Sequence, residues 1–495
     1  MSVKNSGESV VGFLRPILLV IGTLLMALAA AMFIPAVVDV ASKSTEVWVF
    51  PASAAITAFV GGSFMLSSLS ARGASLNLSI RQTFAMTSMV WVALTIFGSL
   101  PFMFGELHMS FTDAFFEAMS GITTTGSTVI TGLDGLPPGI LLWRGIMQWL
   151  GGLGIIVMSI SILPMLKVGG MQMFKVEAFD TGGKALPRAA QISAGITVVF
   201  IGLTAVCALA LWLAGMNGLE ATVHAMTTIA TGGYSTSDSS VGHFNDATID
   251  AIITVGMIVG GIPFMLILMA LRGGQRTLFD DSQVQWYLGI MFASMIALSG
   301  WLWITQGMDP LGALRYSSFT VASIMTGTGY VSADYTLWGM FPIILLFFLT
   351  FVGGCAGSTA CGIKVFRFQV LFATAHVELK KIIYPNGVFL PYYNKRKISD
   401  EVVTSVLGYF FIFIFCFVVL TMALDLLGLD FITAISSAAT AMSNVGPGIG
   451  RIVGPSGTFE SLPDAAKWLL AFGMLLGRLE VFTVMVLFSR HFWKG

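Results

Sequence analysis

Ten stretches of this chain are apolar over roughly the 20 residues that a helix needs to cross a hydrocarbon core. They lie near 13–39, 49–70, 82–105, 139–165, 189–216, 248–271, 284–306, 338–352, 402–426 and 465–489. Backbone inside a bilayer has no water to bond, so such runs become helices, and an ordinary soluble fold is excluded. Composition agrees: 56% of the 495 residues are hydrophobic and 10% charged, against about 25% charged in a soluble domain. The mean hydropathy is +0.87. Twenty-five Lys and Arg balance 25 Asp and Glu, which excludes a basic nucleic-acid binder. Cys207, Cys355, Cys361 and Cys416 sit in apolar or glycine-rich surroundings and offer neither a disulfide framework nor metal-ligand spacing. Met1–Gly12 reads as a short polar leader, and the first apolar run is too long for the core of a cleaved signal.

Four shorter apolar stretches, 112–122, 219–229, 311–325 and 430–442, are too short to cross and each ends in a glycine-bearing loop. Aligned, they read FFEAMSGITTTG (115–126), TVHAMTTIATGG (222–233), SFTVASIMTGTG (318–329) and ISSAATAMSNVG (435–446). The final glycines, Gly126, Gly233, Gly329 and Gly446, are 107, 96 and 117 residues apart. Six residues before each stands a hydroxyl (Ser120, Thr227, Ser323, Thr440), and four before each Ile122, Ile229, Met325 or Met442. One glycine loop is an ordinary close packing of two helices; four in register are an internal repeat. The chain therefore divides into a two-helix extension (1–75) and four units of span, short helix, loop and span (76–188, 189–275, 276–398 and 399–495). The expected fold is all-α and polytopic, with the four units arranged around a pseudo-fourfold pore.

Irregular backbone at membrane depth survives only when buried in protein or lining a watery cavity. Four such loops on one axis can present rings of carbonyl oxygens, the arrangement by which a filter replaces a cation's hydration shell. Glycine suits the turning point because it reaches positive φ cheaply. Thr123, Thr124, Thr125, Thr231, Thr326, Thr328, Ser443 and Asn444 fit a tight polar lining. Each short helix has an acid near its start, namely Asp113, Glu220, Asp309 (before Pro310) and Asp430, which matches the positive end of a helix dipole. The negative ends then lead into the loops, which favours a cation.

The TTTG, ATGGYS, TGTGY and SNVGPG loops, the GGCAGSTACGIKV segment and the late LGRLEVFT helix resemble the TrkH branch of the Trk/Ktr/HKT potassium-transporter superfamily over almost the whole chain. The resemblance implies a filter of backbone carbonyls from Thr123, Thr124, Thr125 and Gly126; Ala230, Thr231, Gly232 and Gly233; Thr326, Gly327, Thr328 and Gly329; and Ser443, Asn444, Val445 and Gly446. Gly126, where sodium-favouring relatives often have serine, argues for potassium. The eighth run breaks at 353–362, with four glycines and two hydroxyls in ten residues. The residues alone allow an interfacial loop ending a short helix, or irregular backbone lining a cavity. The resemblance implies an intramembrane gate containing Gly353, Gly354, Gly357, Ser358, Thr359 and Gly362, with Ala360 and Cys361 where relatives are often glycine-rich.

Arg478 lies near the middle of the last run, where an arginine costs roughly 2.5–3.5 kcal/mol on insertion scales. Glu480, two residues away, is badly placed to pair with it on a helix. By resemblance, Arg478 projects into the pore beneath the filter. The resemblance also implies a homodimer in the bacterial inner membrane with cytoplasmic termini, no covalent cofactor, and a separate TrkA-type cytosolic regulator binding NAD or ATP. The basic segment Lys364–Lys397, with Lys380, Lys381, Lys395, Arg396 and Lys397, could dock that regulator, although positive-inside topology explains most of those charges.

His108, His224, His243, His376 and His491 are scattered, without HExxH, CxxC or GxSxG motifs, so enzymatic readings have no support. Gly357–Lys364 lacks the ending of a phosphate loop. Gated conduction and coupling of potassium to protons or sodium both stay open. Threaded through ten crossings from an inner N-terminus, 19 basic and 8 acidic residues fall inside, against 5 basic and 16 acidic outside. The zero net charge thus resolves into a basic inner face and an acidic mouth that attracts cations.

Overall fold

The computed structural model describes residues 10–69, 78–162, 166, 169–174 and 185–494. Most of the polar leader (1–9), the division at 75/76 and the end of the fourth run (163–165) lie outside the described residues. The elements that follow are almost all helical: α1 (Val10–Ala41), α2 (Val49–Leu69), α3 (Ile80–Gly98), α4 (Phe111–Ile122), α5 (Pro138–Ser161), α6 (Ala185–Leu213), α7 (Gly218–Ile229), α8 (Ala247–Gly260) and α9 (Phe264–Leu271). After these come α10 (Ser282–Gln306), α11 (Pro310–Thr326), α12 (Met340–Phe351), α13 (Val365–Ile383), α14 (Asp400–Leu426), α15 (Phe431–Ser443), α16 (Asp464–Arg478), α17 (Val481–Met485) and α18 (Arg490–Lys494). A two-residue antiparallel hairpin, β1 (Tyr392–Tyr393) with β2 (Arg396–Lys397), interrupts the α13–α14 connection.

The short helices α4, α7, α11 and α15 start where their acids stand. Asp309 and Asp430 are N-caps that accept from the amides of Gly312 and Thr433. Glu220 closes a capping box with Asn217, and Asp113 follows the Ser110 cap. Each cap satisfies amides that a helix end leaves orphaned. The apolar interior falls into three clusters, one joining α1, α2, α3 and α5, one centred on α6 to α11, and one on α14 to α16 with α4.

Seven helices among the described residues are long and apolar enough to cross a bilayer: α1, α2, α3 with the turn after it, α5, α6, α10 and α14. The three other expected crossings are broken. The run at 248–271 bends by 99° between α8 and α9, and the run at 465–489 bends by 115° between α16 and α17. At 338–352 the helix α12 has 12 residues, about 18 Å of rise against a core of about 30 Å. The first bend falls at Gly261-Ile262-Pro263, where proline removes a helix donor. The second falls at Leu479-Glu480, with Glu480 at φ +62°.

Candidate functional site

The four glycine loops leave the C-terminal ends of α4, α7, α11 and α15 and meet at one place. In each, the glycine and the residue two before it have positive φ: Thr124 and Gly126, Thr231 and Gly233, Gly327 and Gly329, Asn444 and Gly446. A Cβ on Gly126 would run into the carbonyl oxygen of Gly232, one on Gly233 into that of Thr328, and one on Gly329 into that of Val445. On Gly446 it would stand 3.0 Å from the Thr125 oxygen. Each glycine thus faces the carbonyl just before the glycine of the next repeat, and the fourth returns to the first. The loops form a closed cycle, and at three of its four contacts only a residue without a side chain fits.

In the first and third loops Thr123 with Thr125, and Thr326 with Thr328, bond their hydroxyls within their own repeat. Thr123 Oγ1 donates to Met119 O (2.6 Å) and meets Thr125 Oγ1 (2.8 Å). Thr326 Oγ1 does the same with Ala322 O and Thr328 Oγ1, both at 2.7 Å. The hydroxyls six before the glycines cap the chain just past the turn in two repeats. Thr227 Oγ1 donates to Tyr234 O (3.0 Å) and Ser323 Oγ to Tyr330 O (2.7 Å). Asn444 Nδ2 bridges Thr125 Oγ1 and Met474 O, both at 2.9 Å, joining the fourth loop to the first and to α16. Above the cycle opens a vestibule of about 220 Å³ lined by Gly126, Gly233, Gly329 and Gly446.

A frame behind the loops was not legible in the sequence. Arg144 on α5 and Glu117 on α4 form a buried pair at 2.9 Å, with side chains 1% and 0% exposed. Arg144 also donates to Ser235 O (2.9 Å) and stacks over Tyr234 at 4.0 Å, while Glu117 accepts from the Val129 amide (3.0 Å). Gln148 clamps the second loop, donating to Gly232 O (2.6 Å) and accepting from the Tyr234 amide (3.0 Å). Tyr234 and Tyr330 each reach the preceding repeat, at Glu117 O (2.8 Å) and Thr227 Oγ1. Arg144 and Glu117 are 27 positions apart in different elements, and in a charge count they pass for outer-loop residues. Removing both leaves the outer excess of acid unchanged.

The 353–362 segment divides into two parts. Gly354 and Gly357 anchor it, accepting at their carbonyls from the Val365 amide (3.2 Å) and the Phe264 amide (3.0 Å). The Gly353 amide donates to Ile363 O (2.9 Å), and Ser358 Oγ donates to Cys355 O (2.6 Å). The carbonyls freed at the α8–α9 bend are taken up here: Gly261 O accepts from Cys355 N (3.0 Å) and Gly260 O from Thr359 N (3.2 Å). Thr359 to Gly362 lie against all four repeats. Cys361 N donates to Thr326 O (3.1 Å), Gly362 N to Ser443 O (2.9 Å) and Thr359 Oγ1 to Ile229 O (2.9 Å). Cys361 Sγ lies 3.6 Å from Thr124 Oγ1.

Arg478, the last residue of α16, is 5% exposed. Its Nη1 donates to Thr359 O (3.2 Å) and Cys361 Sγ (2.8 Å), so it holds the segment directly. Glu480 pairs instead with Arg367 of α13 at 2.5 Å, and Arg367 stacks on Tyr409 at 3.7 Å. The helix break just after Arg478 therefore grips both the segment and the helix that follows it. The basic stretch 364–397 also splits: Lys364 donates to Ala360 O and Arg367 is buried, whereas Lys380, Lys381, Lys395, Arg396 and Lys397 are exposed.

A family model described as TrkH, cation transport protein, matches residues 52–292 and 307–494. A potassium uptake protein TrkI of Halomonas elongata is 43% identical, covering 97% of both chains. A potassium uptake protein TrkH of Escherichia coli is 35% identical over 97% of this chain and 99% of its own. The crystal structure of the potassium transporter TrkH from Vibrio parahaemolyticus superposes with a TM-score of 0.89 at 34% identity, covering 97% of this chain and 99% of that one.

Proposed function

The chain belongs to the TrkH family of cation transport proteins, and on that premise we propose that this multi-pass membrane protein takes up potassium through the cycle of loop carbonyls. It is a transporter and not an enzyme. The observation that carries the reading is the closure of the cycle, in which each glycine admits the carbonyl of the next repeat. Carbonyls from Thr123–Gly126, Ala230–Gly233, Thr326–Gly329 and Ser443–Gly446 then replace the hydration shell of the ion. The Thr359–Gly362 stretch closes the path below, and Arg478 holds it there and adds a positive barrier. Two observations support this closure: contact of one segment with all four repeats, and its two bonds from Arg478.

The protein sits in the bacterial inner membrane with both termini cytoplasmic, works as a homodimer, and answers to a TrkA-type subunit that binds NAD or ATP. The exposed cluster of Lys380, Lys381, Lys395, Arg396 and Lys397 at the end of α13 and on the hairpin supports a docking surface for that subunit. Rubidium flux into proteoliposomes tests the gate. Arg478→Ala should raise the flux severalfold; a folded variant with equal or lower flux would overturn the assignment.

A further inference from the structure

Three separate parts of the chain meet at the first turn of α10. The hairpin is one of them. Its strands pair Tyr393 with Arg396, which leaves Asn394 and Lys395 as a two-residue turn. Both have positive φ, +45° and +62°, a turn for which asparagine is a preferred first residue. The Asn394 side chain lies on α10: its Oδ1 accepts from the Ser282 amide (2.8 Å) and its Nδ2 donates to Asp281 Oδ2 (2.9 Å). The other carboxylate oxygen of Asp281 caps the helix, accepting from the amides of Gln283 (2.9 Å) and Val284 (3.2 Å). Helix α13 is the second part, with Gln369 Nε2 donating to Ser282 O at 2.8 Å.

The third part is the segment beneath the loops. Gln283 is 1% exposed, and its Oε1 accepts from the Ala356 amide at 2.6 Å. Ala356 is itself buried and stands in the anchored half of the segment, between Gly354 and Gly357 and three residues before Thr359. Without Gln283 as acceptor, its amide would be a buried donor with nothing to bond, which costs more than an ordinary hydrogen bond is worth. Asn394 grips Ser282, and Gln283 is the next residue, so the hairpin and the segment are bonded to adjacent positions of one helical turn. The connection is a chain of direct bonds and needs no wave of repacking through the core.

We propose that Asn394 and Gln283 are positioning residues that tie the segment beneath the loops to the hairpin, so that a partner seated on the hairpin acts on the segment through the first turn of α10. Neither residue touches the ion path; each acts through what it holds. Lys395, Arg396 and Lys397 are exposed beside Asn394, which gives an acidic partner face a handle on the turn. The inference rests on the reading of Thr359–Gly362 as the closing stretch and names the contacts by which that stretch is regulated.

The test compares Asn394→Gly, Gln283→Met and the double variant in the full chain. Glycine keeps the positive φ of the turn and removes only the side-chain bonds. Methionine keeps the length of glutamine and removes the acceptor. Hydrogen exchange of the segment 352–363 is read in detergent, where the Ala356 amide exchanges only when its bond opens, and rubidium flux is read in proteoliposomes. Gln283→Met should speed that exchange about fivefold, the effect of one hydrogen bond, and raise the flux by a similar factor. Asn394→Gly should move both in the same direction by a smaller factor, although its side chain bonds α10 and not the segment. The double variant should exceed Gln283→Met in neither readout, because both changes cut the same connection. Unchanged exchange of 352–363 in Asn394→Gly, or effects that multiply in the double variant, would overturn the proposal. Should Gln283→Met fail to fold, the exchange measured in Asn394→Gly decides alone. Faster exchange as expected with flux unchanged would keep the connection and remove the gate reading. Raised flux in Arg478→Ala with exchange unaffected by Asn394→Gly would keep the gate and remove the connection.

Discussion

At the cycle of loops, the severity of a single methyl group should follow the geometry. Gly233→Ala and Gly329→Ala push a Cβ into the next repeat's carbonyl, whereas at Gly446 the nearest oxygen is 3.0 Å away. All three positions also have positive φ, which costs an alanine roughly 1–2 kcal/mol. Rubidium uptake should therefore be abolished in the first two variants and measurable in Gly446→Ala. The buried Arg144–Glu117 pair makes a separate prediction. Glu117→Gln leaves a buried cation without its counter-ion, at a cost of about 3–5 kcal/mol. Thermal unfolding in detergent should show a large drop for Glu117→Gln and a smaller one for the double change with Arg144→Gln. The glycines were legible because four copies in register expose them. Arg144, Glu117 and Gln148 were not, because each occurs once and its partner lies in another element.

Among the elements, the four short helices were readable to within a residue or so, since their acids are caps and their glycines are stops. The Asp430 carboxyl is held below the usual carboxylate range, first by the Thr433 hydroxyl and then by the Thr433 amide. A carboxyl depressed in the folded state stabilises fully above its unfolded value of about 3.9 and loses that contribution as pH falls through the folded value. Asp430→Ala should therefore unfold at a lower temperature than wild type at neutral pH, with the gap closing in acid. The breaks in the two bent runs were not read from the sequence, because hydropathy averages over them. Gly261 and Pro263 carried the signal at the first bend; at the second, Leu479-Glu480 carries no helix breaker. Freed carbonyls at the first bend are paid back by the segment beneath the loops. Thr359→Val removes the hydroxyl bonds to Ile229 O and Gly260 O, both 2.9 Å, so it should raise rubidium flux as Arg478→Ala does.

On the scale of the whole molecule, apolar run length and a fourfold internal repeat were enough to place the four short helices and the seven unbroken crossings, but not the breaks at α8–α9 and α16–α17. What they could not give is the set of contacts between repeats, which are long-range in sequence and depend on how the units are turned toward one another. Transport mode belongs to this scale as well. No acid–histidine relay stands out along the spans in the sequence, and a potassium gradient alone should set a Nernstian reversal potential that is indifferent to pH. A shift with pH, or with a sodium gradient, would indicate coupling.

The segment beneath the loops comes from the third repeat alone, yet it touches all four. A tetramer of identical subunits closes its pore with four equivalent parts, and partial closure by one or two of them can leave intermediate currents. On the proposed gating, a single stretch of backbone serves all four quadrants. Single-pore recordings should accordingly step between shut and fully open, without a ladder of sublevels.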